Sequence, residues 1–255
     1  MSSLSGRHAL VTGGNRGIGE AIVRALAACG ASVTLLVRNR QGGEAVAASL
    51  AGTHGVVVAD LTDRDGVHRA CADAEHQRGP IAILVNNAGF AESAPFLKTP
   101  PELFERMMGI HLLGAVHTTQ AVLPGMIERK RGHVVNMAST AGLHGQAYVT
   151  AYVAAKHALV GLTKALALEV AKHGIAVNAI CPGYTDTDIV RDAVERIHTK
   201  TGRTRFEALA SILSSAGQQR LVAVSEVADA VVSLCTAPAD APSGRAVVVD
   251  GSSGT

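Results

Sequence analysis

The chain has 255 residues, a length that suits one large α/β domain or two small ones. Hydrophobic residues make up 47% of it, which excludes an intrinsically disordered chain. Lys and Arg number 23 against 21 Asp and Glu, so the net charge of +2 is too small to indicate a nucleic-acid-binding surface.

The sequence lacks the patterns of several other protein classes. No apolar run reaches the roughly 18 residues of a membrane span, and the start of the chain has no signal-peptide apolar region. The four cysteines have no CxxC spacing and the histidines form no HExxH motif, so we expect neither a disulfide framework nor a metal site. We therefore expect a cytoplasmic globular protein that binds neither membranes nor nucleic acid.

Short, almost continuously apolar runs recur along the chain, as strands buried on both faces of a parallel sheet require. They are His8–Thr12, Ser32–Val37, Gly55–Ala59, Ile81–Val85, His133–Met137, Ile175–Ile180 and Arg245–Val249. Helix-like segments between them include Glu20–Cys29, Gly66–Gln77, Glu102–Leu123 and Ala151–Lys172. This alternation predicts right-handed crossovers and a parallel sheet with helices on both faces. Because no repeat or linker divides the chain, we expect one α/β domain over residues 1–255.

One segment, between Gly183 and Leu221, interrupts this alternation. It is polar and mixed in charge, with apolar residues at helical spacing. An insertion after a late strand is positioned to cover a site at the carboxyl edge of the sheet. The sequence therefore predicts a helical substrate lid over about residues 184–220, with an ordinary pair of surface helices as the alternative.

The first predicted strand runs into a glycine-rich turn, Thr12-Gly13-Gly14-Asn15-Arg16-Gly17-Ile18-Gly19, and then into a helix. Glycines permit a tight turn and let backbone N–H groups approach a pyrophosphate at the helix N-terminus. A glycine-rich turn alone is a weak signal, but a strand before it and a helix after it are the context that dinucleotide binding requires. The predicted contacts from this turn are Gly13, Asn15, Arg16, Gly17, Ile18 and Gly19.

The end of the second predicted strand, Val37-Arg38-Asn39, indicates which dinucleotide binds. Folds of this kind often place an acidic residue about 20 residues after the glycines, where it holds the ribose 2′-hydroxyl. Arg38 stands there instead, and a guanidinium suits a 2′-phosphate. Arg16 in the glycine turn is a candidate second cation. The two favour NADP(H), while the alternative is that Arg38 is only a solvated charge at a strand end.

Small and polar residues follow the next two predicted strands. The third ends at Asp60-Leu61, where a carboxylate can accept from an adenine amino group, and the fourth ends at Asn86-Asn87-Ala88-Gly89. Since the carboxyl ends of parallel strands meet at one edge, these residues belong to one crevice. The cofactor site is therefore predicted to include Arg38, Asn39, Asp60, Leu61, Asn87, Ala88 and Gly89.

A candidate reacting group lies in the second half of the chain. Ser139 directly follows the fifth predicted strand, and Tyr152 and Lys156 are four residues apart in a predicted helix, hence on one face. An ammonium within about 4–6 Å of a phenol favours the phenolate, so Tyr152 could exchange a proton with a substrate oxygen near neutral pH. Ser139 could hydrogen-bond that oxygen. Taken alone, a Tyr/Lys pair at this spacing is more often an ordinary surface pair.

Taken together, the motifs resemble the short-chain dehydrogenase/reductase family over essentially the entire chain. They are Thr12-Gly13-x3-Gly17-Ile18-Gly19, Asp60-Leu61, Asn86-Asn87-Ala88-Gly89, Ser139 followed by Tyr152-x3-Lys156, and Pro182-Gly183 with Thr185 and Thr187. The resemblance implies a seven-stranded parallel sheet in a Rossmann-type, doubly wound domain. It also implies a nicotinamide cofactor and reversible hydride transfer between a carbonyl and an alcohol.

The resemblance further implies roles for individual residues. Tyr152 and Lys156 are expected to contact the cofactor, with Lys156 on the nicotinamide ribose while it also tunes Tyr152. The turn after the sixth strand is expected on the nicotinamide side, through Pro182, Gly183, Thr185 and Thr187. Homodimers or homotetramers are usual in this family, so we expect one of these assemblies.

One position departs from the family pattern. Within Met107–Gly114 the family usually carries an Asn that holds a water between the catalytic Lys and bulk solvent, and here the matching residue is His111. An imidazole also donates and accepts hydrogen bonds and titrates near neutrality, so His111 is a candidate catalytic residue of the proton relay. The alternative is a buried structural histidine.

These observations predict an NADP(H)-dependent ketoreductase, which reduces a ketone to a secondary alcohol or catalyses the reverse. Two segments, Ser139–Gly142 and Cys181–Tyr184, resemble the corresponding segments of ketoreductases that act on β-ketoacyl or polyketide thioesters. Basic residues of the insertion could bind an acidic acyl carrier or the phosphates of CoA. Acidic residues among them allow a solvated face instead. The alternatives are an NAD(H)-dependent dehydrogenase of a free cyclic or aliphatic secondary alcohol and, more remotely, a non-catalytic dinucleotide-binding regulator.

Overall fold

A seven-stranded parallel sheet lies at the centre of the structure, a computed structural model that describes residues 4–238 and 241–251. The strands are β1 (His8–Thr12), β2 (Ser32–Val37), β3 (Gly55–Val58), β4 (Ile81–Asn86), β5 (Gly132–Met137), β6 (Ile175–Pro182) and β7 (Ala246–Val249). They lie in the order β3-β2-β1-β4-β5-β6-β7, and every neighbouring pair is parallel. The predicted Rossmann-type, doubly wound α/β domain is confirmed.

Helices cover both faces of this sheet. They are α1 (Gly17–Ala28), α2 (Arg40–Ala48), α3 (Arg64–Arg78), α4 (Pro101–Met108), α5 (Gly114–Glu128), α6 (Thr150–Val170), α7 (Asp188–Thr201), α8 (Arg205–Ser215) and α9 (Val224–Thr236). Val11 of β1 packs with Ile22 of α1 on the face that α9 also covers. Its neighbour Leu10 faces the other way and packs with Val67 of α3 and Val122 of α5. Burial on both faces explains why the strands are almost continuously apolar.

The predicted strand bounds hold for β1 and β2 and differ by one or two residues at one end for the others. The prediction of one helix over Glu102–Leu123 is wrong. A π-helical turn, Gly109–Leu113, separates α4 from α5, and α5 continues through Pro124 to Glu128. Glycines at the start of the turn and just after it weaken regular helix formation there, which lets the chain take the wider turn.

The predicted helical segments Glu20–Cys29, Gly66–Gln77 and Ala151–Lys172 are present as α1, α3 and α6, whereas α2 and α9 were not identified from the sequence. The short helix α2 contains two adjacent glycines, and α9 is rich in valine, so neither shows a strong helical preference. The insertion of residues 184–220 is helical, as expected, since it contains α7 and α8. No helix in the described part of the chain is long and apolar enough to cross a membrane.

The carboxyl ends of four central strands form the edge that carries the predicted site. Thr12, Asn86, Met137 and Pro182 are the last residues of β1, β4, β5 and β6. Because all strands run in one direction, the loops that follow these residues lie at the same edge of the sheet.

Candidate active site

Hydrogen bonds fasten the glycine-rich turn to the end of β4. The Thr12 hydroxyl accepts from the backbone N–H groups of Asn87 (2.9 Å) and Ala88 (3.0 Å). Asn87 Nδ2 donates to the backbone oxygens of Thr12 (3.0 Å) and Gly13 (3.2 Å). A Cβ on Gly13 would lie 3.0 Å from Ala88 Cα, and a Cβ on Gly19 would meet the Gly13 carbonyl oxygen. The turn therefore needs glycine for packing, and Asn87 and Ala88 hold it in place.

The remainder of the turn fits the phosphates of a dinucleotide. Gly17 has a φ of +55°, a left-handed conformation that favours glycine, and it opens helix α1. The first N–H groups of α1 have no partner within the helix and lie at the carboxyl edge of the sheet. Ile18 packs against the core and Arg16 is exposed beside the turn. This arrangement suits a pyrophosphate at the helix N-terminus.

The loops after β2 and β3 form the neighbouring part of the crevice. Asn39 Oδ1 caps α2 by accepting from Gly42 N–H (3.4 Å), and the Asn15 side chain lies beside Gly42. Arg38 is exposed, and neither it nor Arg16 forms an ion pair within residues 4–238 and 241–251. Two unpaired guanidiniums at this end of the crevice suit an additional phosphate.

Asp60 and Leu61 occupy different environments although they are adjacent. Asp60 is exposed and accepts from Thr62 N–H (2.9 Å) and Thr62 Oγ1 (2.7 Å). These hydrogen bonds lower the pKa of the Asp60 carboxyl, and nearby Arg38 lowers it further. Leu61 is buried, and its carbonyl oxygen is 2.9 Å from His117 Nδ1. Asp60 therefore presents a carboxylate to the crevice while Leu61 anchors the loop.

Ser139, Tyr152 and Lys156 meet at the ends of β5 and β6. Lys156 is buried, and its Nζ donates to the Met137 carbonyl oxygen at 2.6 Å. The same Nζ lies 5.5 Å from the centroid of the Tyr152 ring. Ser139 lies beside Tyr152; its Oγ accepts from Ala141 N–H at 3.1 Å and is 3.5 Å from the Pro182 carbonyl oxygen. The fold thus brings the three predicted reacting residues together.

Burial controls the protonation of this group. Burial raises the pKa of the Tyr152 hydroxyl to about 12, although the neighbouring Ser139 side chain lowers it in part. Burial also lowers the pKa of Lys156 to about 7. Without a bound ligand, the protein therefore stabilises the neutral phenol. The expected shift of Tyr152 toward the phenolate does not arise from these residues alone, because the Lys156 ammonium is itself desolvated and is held by the Met137 carbonyl.

His111 lies in the π-helical turn and contacts both Phe90 and Tyr152. Its Nε2 is 2.8 Å from the Phe90 carbonyl oxygen and 3.4 Å from the Phe90 backbone nitrogen, and the shorter contact favours the tautomer in which Nε2 donates to the carbonyl. The ring centroids of His111 and Tyr152 are 5.4 Å apart at an interplanar angle of 85°. A Cβ on Gly89 would meet the His111 ring, which explains the small residue there. Burial, and then the charge of Lys156, lower the pKa of His111 to about 3.

The turn after β6 approaches the glycine-rich turn from the opposite side. Gly183 N–H donates to Val249 O (3.0 Å), which joins the turn to β7. Thr185 is buried and donates to Gly183 O (3.0 Å), and Thr187, the residue before α7, donates from its hydroxyl to Thr185 O (3.2 Å). A Cβ on Gly17 would lie 3.8 Å from Thr187 Cγ2. The two turns therefore nearly touch across the predicted crevice.

The sequence patterns did not identify one residue of this region, Gln218. Gln218 is buried and bonds to the backbone of Tyr184, next to the predicted Pro182-Gly183 turn. An isolated glutamine in a polar segment has no pattern that separates it from a solvated side chain. In the described residues, no group of three or more His, Cys, Asp or Glu side chains is arranged to hold a metal ion.

The buried Lys156 predicts a specific pH dependence of stability. Lys156→Met should stabilise the cofactor-free protein by about 2–4 kcal/mol at pH 7, because the wild type buries an ammonium there. The folded-state pKa of about 7 lies below the ordinary 10.5, so the unfolded chain binds more protons between these values and wild-type stability rises with pH. The advantage of the variant should shrink by roughly 2 kcal/mol from pH 7 to pH 9 in urea unfolding.

The matched control is Lys164→Met, which removes an exposed lysine from the same helix. Its stability difference from the wild type should be small and independent of pH. The buried thiol of Cys71, whose pKa burial raises to about 12, is the same in all three proteins, so its contribution cancels in the differences. A Lys156→Met protein that is less stable than the wild type at pH 7 would contradict the prediction.

Comparison with known proteins agrees with this geometry. The family model described as short chain dehydrogenase matches residues 7–198. The chain is 41% identical over 207 residues to D-beta-hydroxybutyrate dehydrogenase of Cupriavidus necator, with 78% of each chain covered. It is 42% identical over 193 residues to acetoacetyl-CoA reductase of Rhizobium meliloti, with 75% of this chain and 79% of the relative covered.

A solved structure gives the same result for the fold. The crystal structure of a gluconate 5-dehydrogenase from Burkholderia cenocepacia J2315 in complex with NADP and tartrate has a TM-score of 0.86 and 31% identity. The match covers 98% of this chain and 95% of that one. The family match, the relatives and the shared fold all support one assignment: the chain is an oxidoreductase of the short-chain dehydrogenase/reductase family.

Proposed function

We propose that the protein is an NADP(H)-dependent reductase that converts a ketone to a secondary alcohol, or catalyses the reverse, with Ser139, Tyr152 and Lys156 as its catalytic residues. The observation that carries the proposal is the meeting of these three side chains, the half-buried Ser139 and Tyr152 and the buried Lys156, at the carboxyl ends of β5 and β6. The glycine-rich turn lies at the same edge of the sheet. The site therefore has a place for a dinucleotide beside a proton donor.

Each catalytic residue has a distinct part in the reaction. A bound nicotinamide cofactor supplies or accepts the hydride. Tyr152, protonated at neutral pH, donates its proton to the substrate carbonyl oxygen as charge develops there. Ser139 donates a hydrogen bond to the same oxygen, which stabilises the developing negative charge. The Lys156 ammonium favours the phenolate that Tyr152 becomes, and proton return to Tyr152 completes the cycle.

Tyr152→Phe should lower kcat by about 100-fold or more, because the proton donor is lost while the ring is kept. The dissociation constant for NADPH should stay within about threefold of the wild-type value. Steady-state kinetics and isothermal titration calorimetry measure the two quantities. Tyr148→Phe, at an exposed tyrosine in the loop before α6, is the matched control and should leave both unchanged. Retention of more than a tenth of wild-type kcat by Tyr152→Phe would refute the role.

The preference for NADP(H) rests on the two unpaired guanidiniums of Arg16 and Arg38. Arg38 stands at the end of β2, where an acidic residue would favour the 2′-hydroxyl of NAD(H) instead. The charge of Arg38 also lowers the pKa of Asp60, which follows the neighbouring strand β3. The gluconate 5-dehydrogenase of similar fold was solved with NADP.

We further propose β-ketoacyl thioesters as a substrate class. The support is the similarity to an acetoacetyl-CoA reductase over most of the chain. The comparable similarity to a D-beta-hydroxybutyrate dehydrogenase supports a second candidate, the oxidation of a free hydroxy compound with NAD(H). The residues of the insertion, 184–220, lie after β6 and would cover the bound substrate as a lid.

These alternatives can be separated by following cofactor oxidation with NADPH or NADH, using acetoacetyl-CoA and a matched free ketone. We expect NADPH to be preferred by tenfold or more in kcat/KM, and acetoacetyl-CoA to be the better substrate. Arg38→Gln should reduce the NADPH preference about tenfold, since a charge-assisted contact to a phosphate is worth roughly 1.5–3 kcal/mol. The control is Arg40→Gln, since Arg40 pairs with Glu44 (3.5 Å) and should leave the preference unchanged.

Either of two results would redirect the assignment. Equal use of NADH by the wild type would refute the role of Arg38 in cofactor choice. Turnover of the free ketone alone would refute the thioester class while leaving the reductase chemistry in place. Binding of NADPH without turnover of any carbonyl would favour a non-catalytic regulator.

His111 is proposed to act as a neutral hydrogen-bonding residue beside Lys156. With Nε2 used by Phe90, Nδ1 is an acceptor, and this buried atom has no hydrogen-bond partner in the described part of the chain. A cavity of about 10 Å³, lined by His111, Lys156 and Asn86 among others, is large enough for a single water. A water there could donate to Nδ1, whereas the low pKa of the ring opposes a role in which His111 itself takes up the proton.

His111→Asn and His111→Phe distinguish these roles through the pH profile of kcat. Because the imidazole stays neutral above about pH 4, we expect wild type and His111→Asn to have the same pH profile between pH 5 and 9. His111→Phe should lose at least tenfold in kcat, since the Phe90 carbonyl loses its donor. His157→Phe, at an exposed histidine of α6, is the control. If the kcat profile of the wild type has a pH-dependent limb near pH 6.5 that the profile of His111→Asn lacks, then His111 titrates in the relay.

A further inference from the structure

Gln218 lies just after α8 and binds the backbone of the turn after β6. Its side-chain Oε1 accepts from Tyr184 N–H (2.9 Å), and its Nε2 donates to the carbonyl oxygens of Tyr184 (2.8 Å) and Arg220 (2.7 Å). The residue is only 9% exposed. A Cβ on Gly183 would lie 2.5 Å from Gln218 Oε1, so the amide packs directly against this glycine.

The same turn is bound by the segment that closes the insertion. Val222 N–H donates to Tyr184 O (2.9 Å), and Asp186 N–H donates to Val222 O (2.9 Å), with Thr185 and Val222 paired as a parallel bridge. Gln218 thus joins the start of the insertion to its end. Both ends of the α7–α8 segment are held together at one place, beside the turn that contains Thr185 and Thr187.

The position of this turn matters because Ser139, Tyr152 and the glycine-rich turn lie next to it. Ser139 Oγ lies 3.5 Å from the carbonyl oxygen of Pro182, the residue before this turn, and Tyr184 raises the pKa of Tyr152. Thr187, three residues further on, is the closest neighbour that a Cβ on Gly17 would meet. The backbone at Tyr184 therefore sets where the turn stands relative to the predicted cofactor crevice.

We propose that Gln218 is a positioning residue that holds the turn 183–187 in the place where it contacts the nicotinamide half of the cofactor. The proposal rests on the dinucleotide site of the proposed function. It adds that the insertion is coupled to cofactor binding through this amide.

The chemistry of the site requires an amide at this position. Only an amide offers an acceptor to Tyr184 N–H and donors to two carbonyl oxygens from one side chain. A carboxylate would face those carbonyl oxygens with a negative charge, and a thioether would leave the buried Tyr184 N–H without its partner. The turn 183–187 would then sample other positions. Because cofactor binding would first have to order the turn, the apparent affinity for NADPH would be weaker.

The test compares Gln218→Met with Gln219→Met, a control at an adjacent and exposed glutamine. NADPH binding is measured by calorimetry and by fluorescence, without substrate. We expect Gln218→Met to raise the dissociation constant about tenfold and Gln219→Met to leave it within twofold. The KM for the carbonyl substrate should change less than the KM for NADPH. If Gln218→Met does not fold, Gln218→Asn, which is too short to reach both groups, should raise the dissociation constant in the same way.

A double-mutant cycle separates positioning from general loss of structure. If Gln218 acts through the turn, Gln218→Met and Thr187→Ala should not be additive in the free energy of NADPH binding. Unchanged NADPH affinity in Gln218→Met, or full additivity with Thr187→Ala, would overturn the inference and leave the proposed function intact. Failure of the wild type to bind NADPH or NADH would overturn both.

Discussion

The hydroxyl of Thr12 is the contact on which the geometry of the crevice depends. It accepts backbone hydrogen bonds from the two residues that follow β4, and so fixes the end of β1 against the end of β4. The amide of Asn87 adds bonds to the carbonyl oxygens of Thr12 and Gly13. In the strand order, β1 and β4 are neighbours, and successive strands are added to one side of the sheet before this point and to the other side after it. Sheets of this type bind ligands at the carboxyl ends of the strands at this point, which is where the Thr12 contact lies.

Charge is scarce in the site beyond this contact. Lys156 and His111 are buried and Tyr152 is half-buried. Desolvation raises the pKa of Tyr152 and lowers the pKa of Lys156 and of His111, which favours the neutral form of each residue. The cations that remain exposed, Arg16 and Arg38, lie at the far end of the crevice. The site is thus arranged to receive negative charge at one end and to keep the reacting end largely uncharged until substrate and cofactor are in place.

The fold and the reacting residues Ser139, Tyr152 and Lys156 could be predicted because both depend on local patterns in the sequence. Buried parallel strands are continuously apolar, and strand ends are marked by small or polar residues such as Thr12 and Asn87. What could not be predicted depends on contacts distant in sequence. The protonation of Tyr152 depends on how deeply it is buried, and no local pattern reports that. The π-helical turn and the role of Gln218 likewise depend on tertiary neighbours, since glycines and glutamine occur in many other settings.

The π-helical turn also changes which neighbours the two halves of the long helical region meet. Leu103 and Met107 of α4 pack against Ala151 and Ala155 of α6, whereas Val122 and Met126 of α5 pack against residues of α3 such as Val67. One additional residue in a helix rotates everything after it by about 100°. The turn therefore shifts the rotation of α5 relative to α4, so that α4 packs against α6 while α5 packs against α3. Deletion of a single residue within it would turn the apolar face of α5 away from α3.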